Sequence, residues 1–133
     1  MVLPARYRES LAELCDSKLV VTIDKDKPCL LIYPLNEWEI VEKKIVALPG
    51  FNKTARRIQR LLIGYATDME VNESGRILLT APLRGYAQLE KKVVLIGQGN
   101  KFELWDEQKW EQLCLDEDED DEDIPASVLE LTI

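Results

Sequence analysis

The strongest constraint on this fold is a pattern of hairpin, turn and helix entry that occurs twice within one short chain. Residues 19–24, LVVTID, and 29–33, CLLIY, are β-rich runs joined through KDKP, a turn sequence with a proline, and they read as a hairpin. Residues 92–97, KVVLIG, and 101–105, KFELW, repeat the design around QGN, where Gly97 and Gly99 are free to take positive φ. At a separation of 72 residues Leu30 falls on Phe102, Ile32 on Leu104, Tyr33 on Trp105 and Trp38 on Trp110. Upstream the separation becomes 76, with Leu3 on Leu79, Tyr7 on Leu83 and Arg8 on Arg84, so the first copy holds about four extra residues, placed here in AELCDS. The prolines break this register, since Pro4 falls on Thr80 and not on Pro82. Two copies of one supersecondary unit are too few for a solenoid, and they predict an internal duplication sharing a core.

Helices fit between the strands. PARYRESLAEL has Pro4 suited to a first turn and Tyr7, Leu11 and Leu14 at helical spacing. NEWEIVEKKIVAL opens with Asn36 as N-cap and Glu39 three residues on, and it carries Trp38, Val41, Ile45 and Leu48 along one side. TARRIQRLLIGYA turns Ile58, Leu61, Leu62 and Tyr65 inward and leaves Arg56, Arg57 and Arg60 outside. DEQKWEQLCL runs from Asp106 with Trp110, Leu113 and Cys114 facing in. TDMEV and RILLT flank Asn72-Glu73-Ser74-Gly75, so residues 68–80 read as a third hairpin with Arg76 at the start of its second strand.

At 133 residues the chain fits one compact domain or two small units sharing a core. No stretch approaches eighteen apolar residues and the N-terminal MVLPARYRE carries arginines where a signal peptide is apolar, so a soluble, cytoplasmic protein without a membrane partner is expected. Cys15, Cys29 and Cys114 are widely spaced among Leu and Ile, which excludes a CxxC site and suits small buried residues. There is no histidine, so most hydrolytic triads and zinc sites cannot be assembled. No catalytic residue, metal, cofactor or small-molecule substrate is assigned.

The net charge of −8 conceals a split. Residues 116–123, DEDEDDED, hold eight carboxylates and Glu130 a ninth, whereas all 17 Lys and Arg lie in residues 1–115 with the other 16 acids. The body is therefore +1 and the tail −9. Between Lys53 and Lys92 eight bases face four acids. A basic middle tethered to an acidic tail suits an anion-binding surface with a competing tail, and equally a solvated end.

NESGRILLTAPLR, RRIQRLLIGYA and GQGNKFELWDEQKWE, together with PARYRE and PCLLIYPLNEWE, resemble the MraZ family of bacterial transcriptional regulators, related to the AbrB swapped-hairpin factors. The resemblance covers residues 2 to about 115. It implies an α+β protein of two pseudo-repeats forming a swapped-hairpin β-barrel with flanking helices. The first repeat is placed at 1–50, a connecting basic helix at 51–66, the second repeat at 67–115 and the acidic tail at 116–133. The family carries two Asp-x-x-x-Arg hairpins per chain. The second lands on Asn72 and Arg76, with asparagine in place of aspartate; the first is expected directly before Met1, so the first copy is read as N-terminally incomplete.

The resemblance also implies a nucleoid-associated, ring-like homo-oligomer. It binds double-stranded DNA at promoter repeats and represses a cell-division and cell-wall gene cluster. Arg76, Asn72, Ser74, Gly75, Arg84, Arg8 and Arg6 are then the DNA-binding candidates. An arginine fork can grip two phosphate oxygens or guanine O6 and N7, and a two-stranded ribbon fits the major groove. Arg56, Arg57, Arg60, Lys91 and Lys92 are expected to contact phosphates only. Two competing readings remain. Arg76 can pair with Glu73 or Glu70 at the surface, and the chain can be an assembly module whose basic middle docks acidic tails.

Overall fold

The computed structural model describes residues 18–72 and 75–116. Their order is β1 (Lys18–Ile23), β2 (Leu30–Pro34), α1 (Leu35–Val46), α2 (Lys53–Tyr65), β3 (Thr67–Glu70), α3 (Ala81–Ala87), β4 (Val93–Gly97), β5 (Phe102–Asp106) and α4 (Glu107–Leu115). This is an α+β fold. The expected helix at residues 4–14 and Cys15 lie outside the described residues.

The five strands form one sheet in the order β3-β1-β2-β5-β4, with every neighbouring pair antiparallel. β2 and β5 join the two copies at its centre. Leu30 pairs with Leu104, Leu31 with Glu103 and Ile32 with Phe102. Because Leu31 and Glu103 are themselves equivalent at the 72-residue separation, a pseudo-two-fold axis passes through that pair. The helices following these strands obey it too. Tyr33 and Trp38 stack with ring centroids 5.6 Å apart at 54°, and their counterparts Trp105 and Trp110 lie 5.9 Å apart at 59°.

The hairpins locate part of the inserted length. Ile23 and Leu30 bracket a six-residue turn, whereas Gly97 and Phe102 bracket one of four. The separation is therefore 72 residues on β2/β5 but 74 on β1/β4. Two of the four extra residues sit in the KDKP turn and not upstream in AELCDS as the sequence suggested. That longer turn is closed by the Asp26 N–H donating to Asp24 Oδ1 at 2.9 Å and by the Asp24 N–H donating to the Cys29 carbonyl at 3.1 Å. In the shorter one Gly99 takes φ 82°, while Gly97 does not adopt positive φ.

Alternation along the strands divides the core between two faces. Leu19, Val21, Ile23, Leu30, Ile32 and Leu104 pack on one face with Val71, Ile77, Leu83 and Ala87, the last two from α3. Val20, Leu31 and Tyr33 pack on the other with Trp38 and Ile45 of α1, over which α2 lays Ile58 and Leu62. α2 is locked to β1 by the fully buried Thr22, whose hydroxyl donates to the Leu62 carbonyl at 2.6 Å.

Several local expectations are corrected. α1 begins at Leu35 after Pro34, so Asn36 is inside the helix and is not its cap. α2 starts at Lys53, capped by Asn52, whose side chain accepts from the Ala55 N–H at 3.1 Å. Cys29 is buried as expected, but Cys114 is exposed on α4, whose inward side is Trp110 and Leu113. The largest departure concerns residues 76–87. RILLT does not form a second strand: β3 pairs with β1, Arg76 holds only an isolated bridge, and the chain enters α3 at Ala81. Pro82 and Gly85 look like breakers in the sequence. At a helix N-terminus, however, proline loses no needed N–H, and Pro82 lies in the first turn.

Candidate nucleic-acid interface

Arg76 sits at the exit of a loop closed by backbone bonds and one side chain. The Asn72 N–H donates to the Arg76 carbonyl at 3.1 Å, the Gly75 N–H donates to the Asn72 carbonyl at 2.9 Å, and the Arg76 N–H donates to Asn72 Oδ1 at 2.9 Å. Asn72 therefore spends its side-chain oxygen on the Arg76 main chain and not on the guanidinium, a role for which a neutral amide serves as well as a carboxylate. Gly75 takes φ 75°, a conformation that costs glycine little. Ile77 is buried in the core directly after Arg76, which anchors the exit of the loop while Arg76 stays exposed. Ser74 and Glu73 lie outside the described residues, and so does the expected pairing of Arg76 with Glu73. Arg6 and Arg8 lie outside them too. Among the described residues the salt bridge is Lys25–Asp26, at 2.8 Å, and Arg76 pairs with no described carboxylate.

Arg84 lies in the last turn of α3, exposed, where a cation also complements the helix C-terminus. It lines a shallow surface groove with Gly85, Gln88 and Glu90. α3 itself is held at its C-terminal end by Tyr86, whose hydroxyl donates to the Asp24 carbonyl at 2.6 Å and whose ring lies 5.6 Å from that of Tyr65. Burial raises the Tyr86 pKa, so this hydroxyl stays a donor. Gln88 ends the helix in the left-handed region at φ 53°.

The α2 arginines do not form one patch. Arg56 and Arg60, one turn apart, share an exposed side, and Arg60 borders a groove between α2 and α3 lined by Tyr65, Thr80 and Pro82. Arg57 turns toward the β1–β2 hairpin end. There Asp26 is held below the usual carboxylate range chiefly by its hydrogen bond from Lys25, with the charges of Lys25, Arg57 and Lys27 adding to it. Lys91 and Lys92 sit apart again, beside Glu90, Asp106 and Glu107 at the start of β4. Carboxylates there offset the two ammonium groups.

The same chain matches a known family over nearly its whole length. The family model described as "MraZ protein, putative antitoxin-like" matches twice, at residues 1–61 and 62–129. This chain belongs to the MraZ family. The chain is 54% identical over 116 residues to a protein from Alkalilimnicola ehrlichii named Transcriptional regulator MraZ, covering 87% of this chain and 77% of that one. A protein of the same name from Thioalkalivibrio sulfidiphilus is 51% identical over 134 residues, covering 98% and 87%. One from Saccharophagus degradans is 49% identical over 133 residues, covering 100% and 90%. In this MraZ-family chain no described helix is long and apolar enough to cross a membrane. Burial, aided by the Asp24 carboxylate, pushes the Cys29 thiol far up, which removes it as a nucleophile near neutral pH.

What sequence reasoning missed is the support under the candidate residues. α3, which carries Arg84, was signalled by Thr80 followed by Pro82, an extended residue and then a first-turn proline. An asparagine at this turn can accept from the main chain or from the guanidinium, and the sequence did not choose between them; the structure gives Asn72 Oδ1 to the main chain.

Proposed function

We propose that this chain is a sequence-specific DNA-binding transcriptional regulator, a repressor of a cell-division and cell-wall gene cluster, acting on promoter repeats as a ring-like oligomer in the nucleoid. The relatives' shared name supports the regulatory role. The observation that carries the DNA-binding part is the closed Asn72–Arg76 loop, which offers an exposed guanidinium from a main chain held by three hydrogen bonds. Holding the backbone in advance lowers the ordering cost of docking. In this reading Arg76 reads base edges or grips phosphate, and Asn72, Ser74, Gly75, Arg84, Arg8 and Arg6 add DNA contacts. Arg56, Arg57 and Arg60 supply phosphate contacts, with Lys91 and Lys92 weaker because of their acidic neighbours. The repeats span 1–50 and 67–115, with α2 in the connector 51–66. Single weak contacts then gain by effective concentration when an oligomer meets repeated sites.

The test is a salt titration of binding to a duplex carrying short promoter repeats. Each phosphate neutralised by a Lys or Arg adds about −0.9 to the slope of log K against log salt for B-DNA. Arg76→Ala should flatten that slope by about one such contact per engaged subunit. An unchanged slope and affinity would remove Arg76 from the interface.

The exposure of Phe51 (88%) and Leu78 (86%) favours a second reading, an assembly module that uses apolar contacts and has no physiological DNA ligand. Complete indifference to DNA by an assembled oligomer would select it.

A further inference from the structure

The helix α2 carries charge of one sign. Among its thirteen residues Lys53, Arg56, Arg57 and Arg60 are cations and none is acidic, and three of the four cations stand in the first five positions. Aligned backbone dipoles leave a helix N-terminus partly positive, so these cations repel the helix end and one another, and an anion alongside relieves both. Lys53, Arg56, Arg60 and Gly64 are spaced to share one side of the helix, and all four are exposed. Among the described residues no carboxylate forms an ion pair with any of the three cations. The same side runs into the groove between α2 and α3, which has a volume of about 410 Å³ and is lined by Arg60, Gly64, Leu61, Tyr65, Pro82 and Leu83. A Cβ added at Gly64 would meet nothing within 4 Å, so the groove opens directly beside the cations.

Other basic positions have acidic neighbours. Lys91 and Lys92 lie beside Glu90, Asp106 and Glu107, and Lys25 pairs with Asp26, whose carboxylate Arg57 and Lys27 also influence. On α1, Lys43 and Lys44 share their helix with Glu37, Glu39 and Glu42. One segment of the chain complements the side of α2 in order as well as in charge. Residues 116–123 are eight consecutive carboxylates, and residues 124–133, Ile-Pro-Ala-Ser-Val-Leu-Glu-Leu-Thr-Ile, carry Glu130 as their one charge. Asp116 is exposed after α4, and residues 117–133 lie outside the described residues. Along α2 the cations come first and the apolar groove follows. Lys53 to Arg60 covers about 10 Å of helix axis, and eight extended residues reach about 26 Å. The eighteen residues after Leu115 reach about 60 Å, beyond the roughly 35 Å diameter of a domain of this size.

We propose that residues 116–133 dock on their own subunit, with the acidic run along the Lys53–Arg56–Arg60 side of α2 and the apolar end in the groove between α2 and α3. Exposed ion pairs are individually weak, so the contact depends on several at once and yields to salt or to a competing polyanion. The tail is thereby an internal competitor for Arg56 and Arg60. That consequence rests on the phosphate contacts assigned to them above, whereas the contact itself does not.

A zero-length carbodiimide cross-linker joins an amine to a carboxylate in direct contact, and it reads the docking without DNA. In the full chain at about 50 mM salt, peptide mass analysis should find Lys53 joined to residues 116–123. The yield should fall about fivefold or more at about 1 M salt, where charges are screened beyond about 3 Å. Arg56→Glu with Arg60→Glu leaves Lys53 in place and should lower the yield about fivefold or more. Val128→Ser with Leu129→Ser should lower it about threefold or more with no change of charge. When chains grown on heavy nitrogen are co-assembled with light ones, the cross-linked peptides should be wholly heavy or wholly light. Three results would overturn the proposal: no product between Lys53 and the tail, a yield indifferent to either pair of substitutions, or hybrid heavy–light products, which would seat a neighbour's tail on α2. In a second arm, a chain with Asn for each Asp and Gln for each Glu in residues 116–123 should bind a mixed-sequence duplex about tenfold more tightly than the parent at about 50 mM salt. Equal binding by the two would overturn the competition. Failure of both to bind any duplex would sink the DNA-binding function, and the cross-linking result would still decide the contact.

Discussion

The two copies begin from one pattern and end with unequal burial. β1 and β2 are enclosed, with β3 at the edge and α2 over one face, and α1 buries Ile45 and Trp38, the latter 4% exposed. β4, β5 and α4 keep the same pairing and ring geometry, yet Trp110 is only partly buried and α4 has no fully buried residue. Local sequence therefore determines how each hairpin and helix is built. Which residues are lost from water is decided by what the rest of the chain lays on top. The basic helix α2 serves both ends: it supplies the cover for the first copy and presents Arg56 and Arg60 on its far side.

Equivalent substitutions sharpen this contrast. Trp38→Ala should cost about 3–5 kcal/mol in denaturant unfolding, the usual range for a buried aromatic. Trp110→Ala should cost under about half of that, because less surface returns to water. Equal losses would mean that the second copy is as enclosed as the first. Val20→Ala and Val94→Ala make the same chemical change at matched positions. About 2–3 kcal/mol is expected for the fully buried Val20 and about 1 kcal/mol or less for Val94. A larger loss at Val94 would reverse the comparison.

The smallest effect concerns the thiols. Alkylation of the native protein should label the exposed Cys114 and spare the buried Cys29 until unfolding. Burial raises the Cys29 pKa, so the folded chain holds that proton more tightly than the unfolded one. The resulting contribution is fully present below about pH 8.5 and is lost as pH rises beyond it. Stability of the Cys29→Ala variant should fall less between neutral and alkaline pH than that of the parent; an equal fall would assign the alkaline loss to other groups.

Much of this architecture is legible in the sequence because the repeat aligns chemically matched residues. Tyr33 with Trp105 and Trp38 with Trp110 are large rings that keep their mutual geometry, and the β2–β5 pairing about Leu31 and Glu103 follows the same spacing. The pairing of β3 with β1 was not legible. It joins residues about fifty positions apart, and the nearer run RILLT offered a local partner that tertiary packing overruled, with Ile77 drawn into the core instead. The candidate site was half legible. Arg76 and its glycine turn stand out at once, and Asn72 is a turn residue able to accept from the main chain or from the guanidinium, a choice that only the loop geometry makes. The α2 arginines follow helical geometry, since Arg56 and Arg60 share a side one turn apart while Arg57, adjacent to Arg56 in sequence, faces different surroundings.

The most direct measurement is the ratio of affinities for a duplex carrying the promoter repeats and for a scrambled duplex of equal length. It is compared across the parent chain, Arg76→Ala and Arg56→Ala at one fixed salt concentration. The account predicts that Arg56→Ala weakens both duplexes alike and leaves the ratio intact. Arg76→Ala should lower the ratio by about tenfold or more, the discrimination of one lost bidentate base contact. A ratio unchanged by Arg76→Ala would contradict the assignment of this loop as the element that reads DNA.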